Sequence, residues 1–228
     1  MLEEKSQGIV LRSIDYKDSQ RIISLFTYEQ GLISIIVKGI SRKNLRLLAL
    51  TAPFTEIETV YKKGRSDLYL FADGSILDDH LELRKSLECL TTAGHLAHAI
   101  LTSQLPGKPV PELYLLFRAY FKQIATFTDP SPLVPSFQLK LLKHEGLLAL
   151  AAYCNHCTHQ AAHFLRKGES LCANHRFSDL FAFSLEEWAL LLKLNSAEQF
   201  SHLRTNPVPA ALKQKINTYF QARIADPV

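Results

Sequence analysis

The chain has 228 residues, of which 47% are apolar, and a formal net charge of +4. This is enough apolar material for one large domain or two small ones. No run approaches the roughly 18 uninterrupted apolar residues of a transmembrane helix. The N-terminus, with Glu3 and Glu4, also lacks the basic and then apolar pattern of a signal peptide. We therefore expect a cytoplasmic protein that does not enter a membrane.

The first 79 residues have the period-two alternation of β-strands. The predicted strands cover residues 7–13, 21–28, 32–38, 54–61 and 67–73. Hairpin turns are expected at residues 28–31 and 63–66, where glycine lies between strand-forming runs. Five strands in so short a stretch favour a small Greek-key barrel of the OB type, which commonly binds single-stranded nucleic acid.

After residue 79 the apolar pattern changes to a period of 3.6, which is typical of helices. The predicted helices cover residues 80–104, 111–127, 136–150, 184–194 and 209–224. Pro111 suits the first turn of a helix, and Ser184 with Glu187 forms a capping-box pattern. The second half is therefore expected to be helical.

Three of the four cysteines lie within 19 residues. Cys154 and Cys157 are two residues apart, and Cys172 and His175 repeat that spacing, which is typical of a closed tetrahedral zinc site. A redox dithiol is the alternative, but no β-α-β pattern of the thioredoxin kind surrounds the pair. We expect a structural Zn²⁺ ion bound by these four residues.

Other histidines are alternatives for the fourth zinc ligand, because His156, His159 and His163 lie in the same stretch. The fold class expected from these patterns is α+β. It comprises a five-stranded OB-fold barrel in residues 1–79, followed by an all-helical domain in residues 80–228. That domain carries a zinc-knuckle-like insertion at residues 154–175.

Positive charge is concentrated in the first domain, where no acidic residue lies between Glu29 and Glu56. Such a cluster attracts a phosphate backbone, although a solvated basic loop between strands three and four is the simpler alternative. The first candidates for DNA contact are Lys38, Arg42, Lys43 and Arg46, and the second are Arg12, Arg21, Lys62, Lys63 and Arg65. Candidate stacking residues are Tyr28, Tyr61, Tyr69 and Phe71, but most aromatics in so small a barrel belong to its core.

Familiar catalytic motifs are missing. His144 and Glu145 open a zinc-protease motif, but Leu148 occupies the position of the second histidine. The chain also lacks a P-loop, a dinucleotide-binding turn, a nucleophile elbow and the zinc-deaminase pattern. We therefore expect a binding protein rather than an enzyme. Two alternatives are an RNA-binding OB-fold factor and a zinc hydrolase with an open coordination position.

Several short segments of the sequence, in a fixed order, resemble those of a known protein family. They are residues 8–12, 16–22, 25–27 and 37–42 near the N-terminus, and residues 137–142 and 146–148 ahead of the cysteine pair. Together they resemble the RecO family of bacterial recombination mediators. The sequence departs from the four-cysteine version of the zinc site that the resemblance implies, because His175 occupies the last position here.

The resemblance implies a non-enzymatic mediator of DNA repair and homologous recombination. Such a protein binds single- and double-stranded DNA, anneals complementary strands and partners with RecR. It also binds the C-terminal tail of single-strand-binding protein (SSB), and it helps to load the recombinase RecA onto SSB-coated DNA near the nucleoid. For the acidic, apolar tail, the candidate helical residues are Arg118, Lys122, Lys140 and Lys143. The RNA-binding alternative would be unrelated to recombination.

Overall fold

Five strands close into a barrel in the order β1-β2-β3-β5-β4. The computed structural model describes residues 3–64, 68–175, 177–197, 199–205 and 207–226. The strands are β1 (Glu3–Asp15), β2 (Gln20–Thr27), β3 (Gly31–Lys38), β4 (Glu56–Lys63) and β5 (Leu68–Asp78). β1 pairs with both β2 and β4, and β3 closes the barrel by pairing in parallel with β5. This is a five-stranded Greek-key barrel of the OB type, so the predicted N-terminal fold is confirmed.

The chain divides into two compact units, Met1–Ala125 and Thr126–Val228. The first contains the barrel and three helices, α1 (Leu45–Leu50), α2 (Leu87–Ser103) and α3 (Pro111–Gln123). The second contains α4 (Leu133–His144), α5 (Leu185–Ser196), α6 (Ser201–Arg204) and α7 (Ala210–Ala225). It also has three short strands, β6 (Phe164–Arg166), β7 (Glu169–Leu171) and β8 (Phe181–Ala182). The domain division at residue 79 stays a prediction.

The barrel core consists of side chains that alternate along the strands. Ile23 and Leu25 of β2 and Ile33, Ile35 and Val37 of β3 all lie inside and are at most 2% exposed. Because successive strand residues point to opposite faces, the even-numbered residues of β2 and β3 lie on the outer face. That outer face is partly covered by helix α3.

Phe26 marks the covered part of the outer face. Its ring makes edge contacts with Tyr114 and Phe117 of α3, with centroid separations of 5.6 and 5.7 Å. Burial decreases along β2, from 0% exposure at Phe26 and 5% at Ser24 to a half-buried Ile22. One half of this face is therefore core, and the other half meets solvent.

The hairpin predicted at residues 28–31 lies between β2 and β3. Gly31 has a φ of +67°, and a β-carbon there would lie only 2.0 Å from the carbonyl oxygen of Lys108. Glycine is therefore required both for the turn conformation and for the close approach of the backbone. The second predicted turn, at residues 63–66, falls partly outside the described residues.

Helix α1 corrects the prediction that residues 38–46 form a loop throughout. The side chain of Asn44 accepts a hydrogen bond from the backbone N–H of Leu47 at 3.2 Å, which caps a short helix. Arg46 therefore lies in the first turn of α1. The cap is local, and a six-residue helix has too few turns to show a period in the sequence.

Helix α4 spans Leu133–His144 rather than the predicted residues 136–150. Gly146 has a φ of +71°, and the N–H of Leu147 bonds to the carbonyl of Leu142 at 2.8 Å. This C-terminal pattern ends the helix although the apolar residues continue beyond it. By contrast, the predicted capping box of α5 is confirmed, with Ser184 and Glu187 bonded reciprocally.

The second unit is helical, with a small sheet in the order β7-β6-β8. These strands were not predicted, because segments of two or three residues have no measurable alternation. None of the described helices is long and apolar enough to cross a lipid bilayer.

A buried carboxylate joins α3 to the barrel. Glu56, the first residue of β4, is 1% exposed, and its Oε1 accepts a hydrogen bond from Nε of Arg118 at 2.5 Å. Nζ of Lys122 lies 4.0 Å from the other carboxylate oxygen, and Nε2 of the buried His80 lies 3.9 Å from it. A buried carboxylate is stable only when its charge is compensated in this way.

We expect Arg118→Ala to destabilise the first unit by about 3 kcal/mol, because it leaves the buried carboxylate of Glu56 with much weaker compensation. Urea unfolding followed by circular dichroism measures this loss. Lys5→Ala is the control, because Lys5 forms an exposed pair with Glu58 that is worth about 0–1 kcal/mol. Equal losses for the two variants would contradict the structural role of Glu56.

Candidate nucleic-acid interface and metal centre

Three cations with no ion-pair partner in the described part of the chain lie at one end of the barrel. Lys38 ends β3 opposite Gln20, and the backbone N–H of Ile40 bonds to the carbonyl of Ser19 at 3.0 Å. These bonds hold the loop of residues 39–44 beside the β1–β2 hairpin. Lys38, Arg42 and Lys43 are exposed, and they form no ion pair with the residues that the structure describes. We refer to these three residues as the basic end.

Three other candidate cations have acidic partners. Arg46 pairs with Asp73 at 2.9 Å, Arg21 pairs with Asp15 at 2.7 Å, and Lys62 pairs with Glu3 at 3.0 Å. The hydrogen bond from Arg46 lowers the pKa of Asp73, so this carboxylate stays ionised. The pairs of Arg46 and Lys62 are exposed and weak, so a phosphate can replace their carboxylates at little cost. Arg21 is more buried and also donates a hydrogen bond to Thr51. These cations are nevertheless less free than those of the basic end.

The remaining candidates for DNA contact are Arg12, Lys63 and Arg65. Arg12 lies on β1 opposite Ser24, and Lys63 ends β4 opposite Tyr69. Both are exposed and form no ion pair within the described ranges. Arg65 lies outside the described residues.

An open cleft of about 730 Å³ adjoins the basic end. Lys38, Arg46 and Lys62 line it together with Ile36 of β3 and Phe71 of β5. The cleft also contains Glu3 and Asp73, the partners of two of these cations. It therefore combines apolar strand surface with exchangeable positive charge, which suits a phosphodiester chain.

The aromatic candidates are mostly core, as expected. Tyr61 is 0% exposed and bonds to Ser6, and burial raises its pKa to about 12. Tyr69 packs edge-on against Tyr61 at 4.9 Å, and Phe71 packs against the same cluster. Only Tyr28 of the four is largely exposed, at 43%.

The Cys154, Cys157, Cys172 and His175 side chains form one cluster, with all ligand atoms within 4.8 Å of one another. The sulfurs of Cys157 and Cys172 are 3.8 Å apart. Nδ1 of His175 lies 3.6 Å from the sulfur of Cys154 and 3.3 Å from that of Cys172. Zn–S and Zn–N bonds in a tetrahedron give edges of about 3.8 Å and about 3.6 Å. The donor set therefore fits a zinc ion, and the sulfurs are too far apart for a disulfide.

Local backbone bonds position the four donors. The N–H of Thr158 bonds to the carbonyl of Cys154 at 2.9 Å, and the N–H of His175 bonds to that of Cys172 at 3.1 Å. Asn155 bonds in both directions to Ser170 of β7, which brings the first turn to the strand that precedes Cys172. The small sheet thus holds the two pairs face to face.

The electrostatics of the cluster favour a bound cation. Burial acts to raise the pKa of Cys154, but hydrogen bonds from the backbone N–H groups of Cys157 and His156 outweigh it and lower the pKa to about 6. Burial and the neighbouring sulfurs raise the pKa of Cys172. Adjacent thiolates repel one another, so full ionisation needs a positive ion between them.

The three alternative histidines do not join the cluster. His156 pairs with Glu169 at 3.2 Å, His159 bonds to the carbonyl of Cys157, and His163 packs on the ring of Phe164 at 4.2 Å. His175 is therefore the fourth candidate ligand in the structure.

A second group, Glu56, Asp78 and His80, was not anticipated from the sequence. Nε2 of His80 faces Glu56, whereas Nδ1 lies 3.4 Å from Asp78. The carboxylates of Glu56 and Asp78 therefore face different nitrogens of the His80 ring, and Glu56 already forms an ion pair with Arg118. This arrangement is an ion-pair network rather than a metal site.

Four helical residues were candidates for binding an acidic peptide tail. Two of them, Arg118 and Lys122, face Glu56 and belong to its ion-pair network. In the second unit, Nζ of Lys140 donates a hydrogen bond to the carbonyl of Ala197 at 2.6 Å, and Lys143 is exposed. Ala197 lines a groove of about 380 Å³. The other lining residues are Leu190, Lys193, Leu194, Ser196, His202 and Leu203.

Comparisons with known proteins cover nearly the whole chain. The family model for recombination protein O, N terminal, matches residues 1–79, and the model for recombination protein O, C terminal, matches residues 84–228. The DNA repair protein RecO of Exiguobacterium sibiricum is 28% identical over 223 residues, which are 96% of this chain and 89% of that protein.

Two further relatives carry the same name. The DNA repair protein RecO of Bacillus subtilis is 28% identical over 95% of this chain and 88% of its own length. That of Chlamydia pneumoniae is 27% identical over 94% of this chain and 86% of its own length. The resemblance found in the sequence is confirmed: the chain belongs to the RecO family, the recombination protein O family of DNA repair proteins.

Proposed function

We propose that this protein is a non-enzymatic recombination mediator that binds single- and double-stranded DNA and anneals complementary strands. The observation that carries the proposal is the basic end, where Lys38, Arg42 and Lys43 lie exposed and without acidic partners among the described residues. It lies on an OB barrel in a chain of the RecO family. Annealing requires neutralisation of two phosphate backbones while the base edges stay free, and such a surface provides this without reading sequence.

The partners that we propose are RecR, SSB and, indirectly, RecA, and the support for them is family membership. For the SSB tail, the groove between α5 and α6 has suitable chemistry. Leu190, Leu194 and Leu203 provide an apolar floor, and Lys193 provides a positive rim. An acidic peptide that ends in apolar residues is complementary to such a groove.

We further propose that Cys154, Cys157, Cys172 and His175 bind one structural zinc ion. When bound, zinc would balance the charge of the thiolates and hold the two cysteine pairs together. The four side chains would fill all four positions of a tetrahedron, and Cys154 and Cys172 are each only 1% exposed. This argues against the alternative of a zinc hydrolase, which needs an open position.

The double variant Arg42→Ala/Lys43→Ala should slow annealing of SSB-coated oligonucleotides and weaken DNA binding for every sequence. The plot of log affinity against log salt should become shallower by about 0.7–0.9 for each lost phosphate contact. Fluorescence anisotropy over a salt series measures both effects. The control is Arg84→Ala/Lys85→Ala, which removes the same charge from an exposed turn of the first unit.

An equal effect in the control would mean that net charge alone matters. Unchanged affinity of the Arg42→Ala/Lys43→Ala variant at low salt would remove these residues from the site. Tighter binding of an RNA oligonucleotide than of the matching DNA would favour the RNA-binding alternative.

Purified protein should contain one zinc ion per chain, and Cys157→Ser should lose it and unfold at a lower temperature. Elemental analysis measures the metal, and the fluorescence of Trp188 reports unfolding of the second unit, because its indole N–H bonds to Ala151 at 3.2 Å. His159→Ala is the control, and it should keep the zinc. Metal-free wild-type protein of normal stability would contradict the proposal.

Lys193→Glu should weaken binding of a fluorescent peptide with the acidic, apolar sequence of an SSB tail at least tenfold, because it reverses the charge at the rim of the groove. Anisotropy measures the affinity, and Lys85→Glu is the control for charge reversal, because Lys85 is exposed in a turn of the first unit. DNA affinity should change by the same small factor in both variants. Equal peptide affinity in wild type and Lys193→Glu would exclude this groove.

A further inference from the structure

Cys157 is the most exposed of the three clustered cysteines. Its side chain is partly exposed, whereas Cys154 and Cys172 are each only 1% exposed. The residues on either side of it in the chain, His156 and Thr158, are exposed as well. A small polar molecule from solvent therefore reaches the sulfur of Cys157 before it reaches the other two sulfurs.

Cys172 lies next to that sulfur. The sulfurs of Cys157 and Cys172 are 3.8 Å apart, and a disulfide needs a separation of about 2.05 Å, so they would have to approach by about 1.8 Å. One of the two thiols is accessible and the other is buried beside it. This arrangement is typical of a cysteine that reacts with an oxidant and a second cysteine that resolves the product.

The turn that carries Cys157 holds a strained residue. Thr158 has a φ of +61°, which is unfavourable for a β-branched side chain. The N–H of Thr158 bonds to the carbonyl of Cys154 at 2.9 Å, and the N–H of His159 bonds to that of Cys157 at 2.8 Å. Such strain persists only while the surrounding contacts maintain it. A shift of Cys157 towards Cys172 can therefore release strain in this turn.

Cys172 is held in place by the small sheet. Leu171, the residue before it, is fully buried and pairs with Phe164 of β6. The carbonyl of Cys172 accepts a hydrogen bond from the N–H of His175 at 3.1 Å. The approach of the two sulfurs therefore falls mainly to the exposed turn of Cys157.

We propose that Cys157 and Cys172 are a site of reversible oxidation by peroxides, and that the disulfide they form empties the metal site. This inference rests on the proposed zinc site and adds a reaction by which that site loses its metal. After oxidation, Cys154 and His175 are the remaining donors of the cluster. Two donors are fewer than the four that a structural zinc site uses.

The oxidation takes two steps. The thiolate of Cys157 attacks one oxygen of hydrogen peroxide, the O–O bond breaks, and Cys157 becomes a sulfenic acid while hydroxide leaves. The thiolate of Cys172 then attacks the sulfur of Cys157, so that the S–S bond forms and the S–O bond breaks with loss of a second hydroxide. Each hydroxide takes a proton from solvent. The two thiolates have lost two electrons, and one peroxide has become two water molecules.

The test treats zinc-loaded wild-type protein with hydrogen peroxide. Two of the four free thiols should disappear, and zinc should pass to a chromogenic chelator at the rate at which the thiols are lost. Dithiothreitol with added zinc should restore both the thiols and the metal. Unchanged thiols with zinc still bound would overturn the inference and leave the proposed zinc site intact.

Tryptic mapping by mass spectrometry identifies the oxidised pair. Cys154 and Cys157 lie in one expected peptide, residues 144–166, and Cys172 lies in another, residues 168–176. The expected disulfide joins these two peptides, and fragment ions should place the bond at Cys157. A disulfide between Cys154 and Cys157, a bond at Cys154, or a sulfonic acid at Cys157 without a disulfide would overturn the assignment.

Cys157→His removes the accessible thiol but keeps four donors, because two cysteines and two histidines also bind zinc. The zinc-loaded variant should lose its metal to peroxide about tenfold more slowly than wild type. Cys89→Ala is the control, because Cys89 is buried in α2 of the first unit, and it should lose zinc at the wild-type rate. Equal rates in wild type and zinc-loaded Cys157→His would contradict the role of Cys157. If Cys157→His takes up no zinc, the tryptic map of wild type decides the pairing.

Failure of the proposed zinc site gives a different result. Purified wild-type protein without zinc would refute that site and, with it, the release of metal on oxidation. A joined pair of tryptic peptides in the same metal-free protein would still support the Cys157–Cys172 oxidation site, and separate peptides would overturn it.

Discussion

Closure of the barrel through the parallel pairing of β3 with β5 is the constraint on which the rest of the first unit depends. Once Ile36 is in register with Leu70, every inward residue of β2 and β3 is committed to the core. The alternate residues are then committed to the outer face, because a shift of one residue would turn the whole apolar set outward. The barrel core and the outer face of the sheet are therefore consequences of one register.

Charge in this protein is divided between structure and surface. Arg118 and Lys122 compensate the buried Glu56, and their positive charge serves the fold. Lys38, Arg42 and Lys43 form no ion pair with any described residue, and their charge is available to a ligand. The helical candidates and the barrel candidates looked alike in the sequence, and only their partners distinguish them.

The cluster of three cysteines and His175 lies between α4 and α5 in the second unit. The segment between α4 and α5 contains three strands of two or three residues, which are too short to be stable alone. Four donors converge within 4.8 Å in this segment, and a bound metal ion would cross-link it. The spacing of these residues in the sequence predicted the cluster, because a zinc knuckle is built from local turns.

Local patterns in the sequence determined much of this protein. Alternation located the barrel strands, the period of 3.6 located the main helices, and the spacing of Cys154, Cys157 and Cys172 with His175 identified the cluster of candidate metal ligands. Each of these signals depends on residues close together in the chain. For the same reason, the capping box at Ser184 was predictable, whereas the end of α4 depended on the backbone conformation at Gly146.

Only the tertiary structure decided which side chains share a surface. Ile14, Ile22, Ile36 and Leu70 are distant in sequence, and strand register alone places them in one row. The structure likewise separated His175 from three neighbouring histidines and paired Arg118 with a carboxylate 62 positions away. Register, burial and ion pairing are long-range properties, because they depend on which strands and helices meet rather than on the residues within each of them.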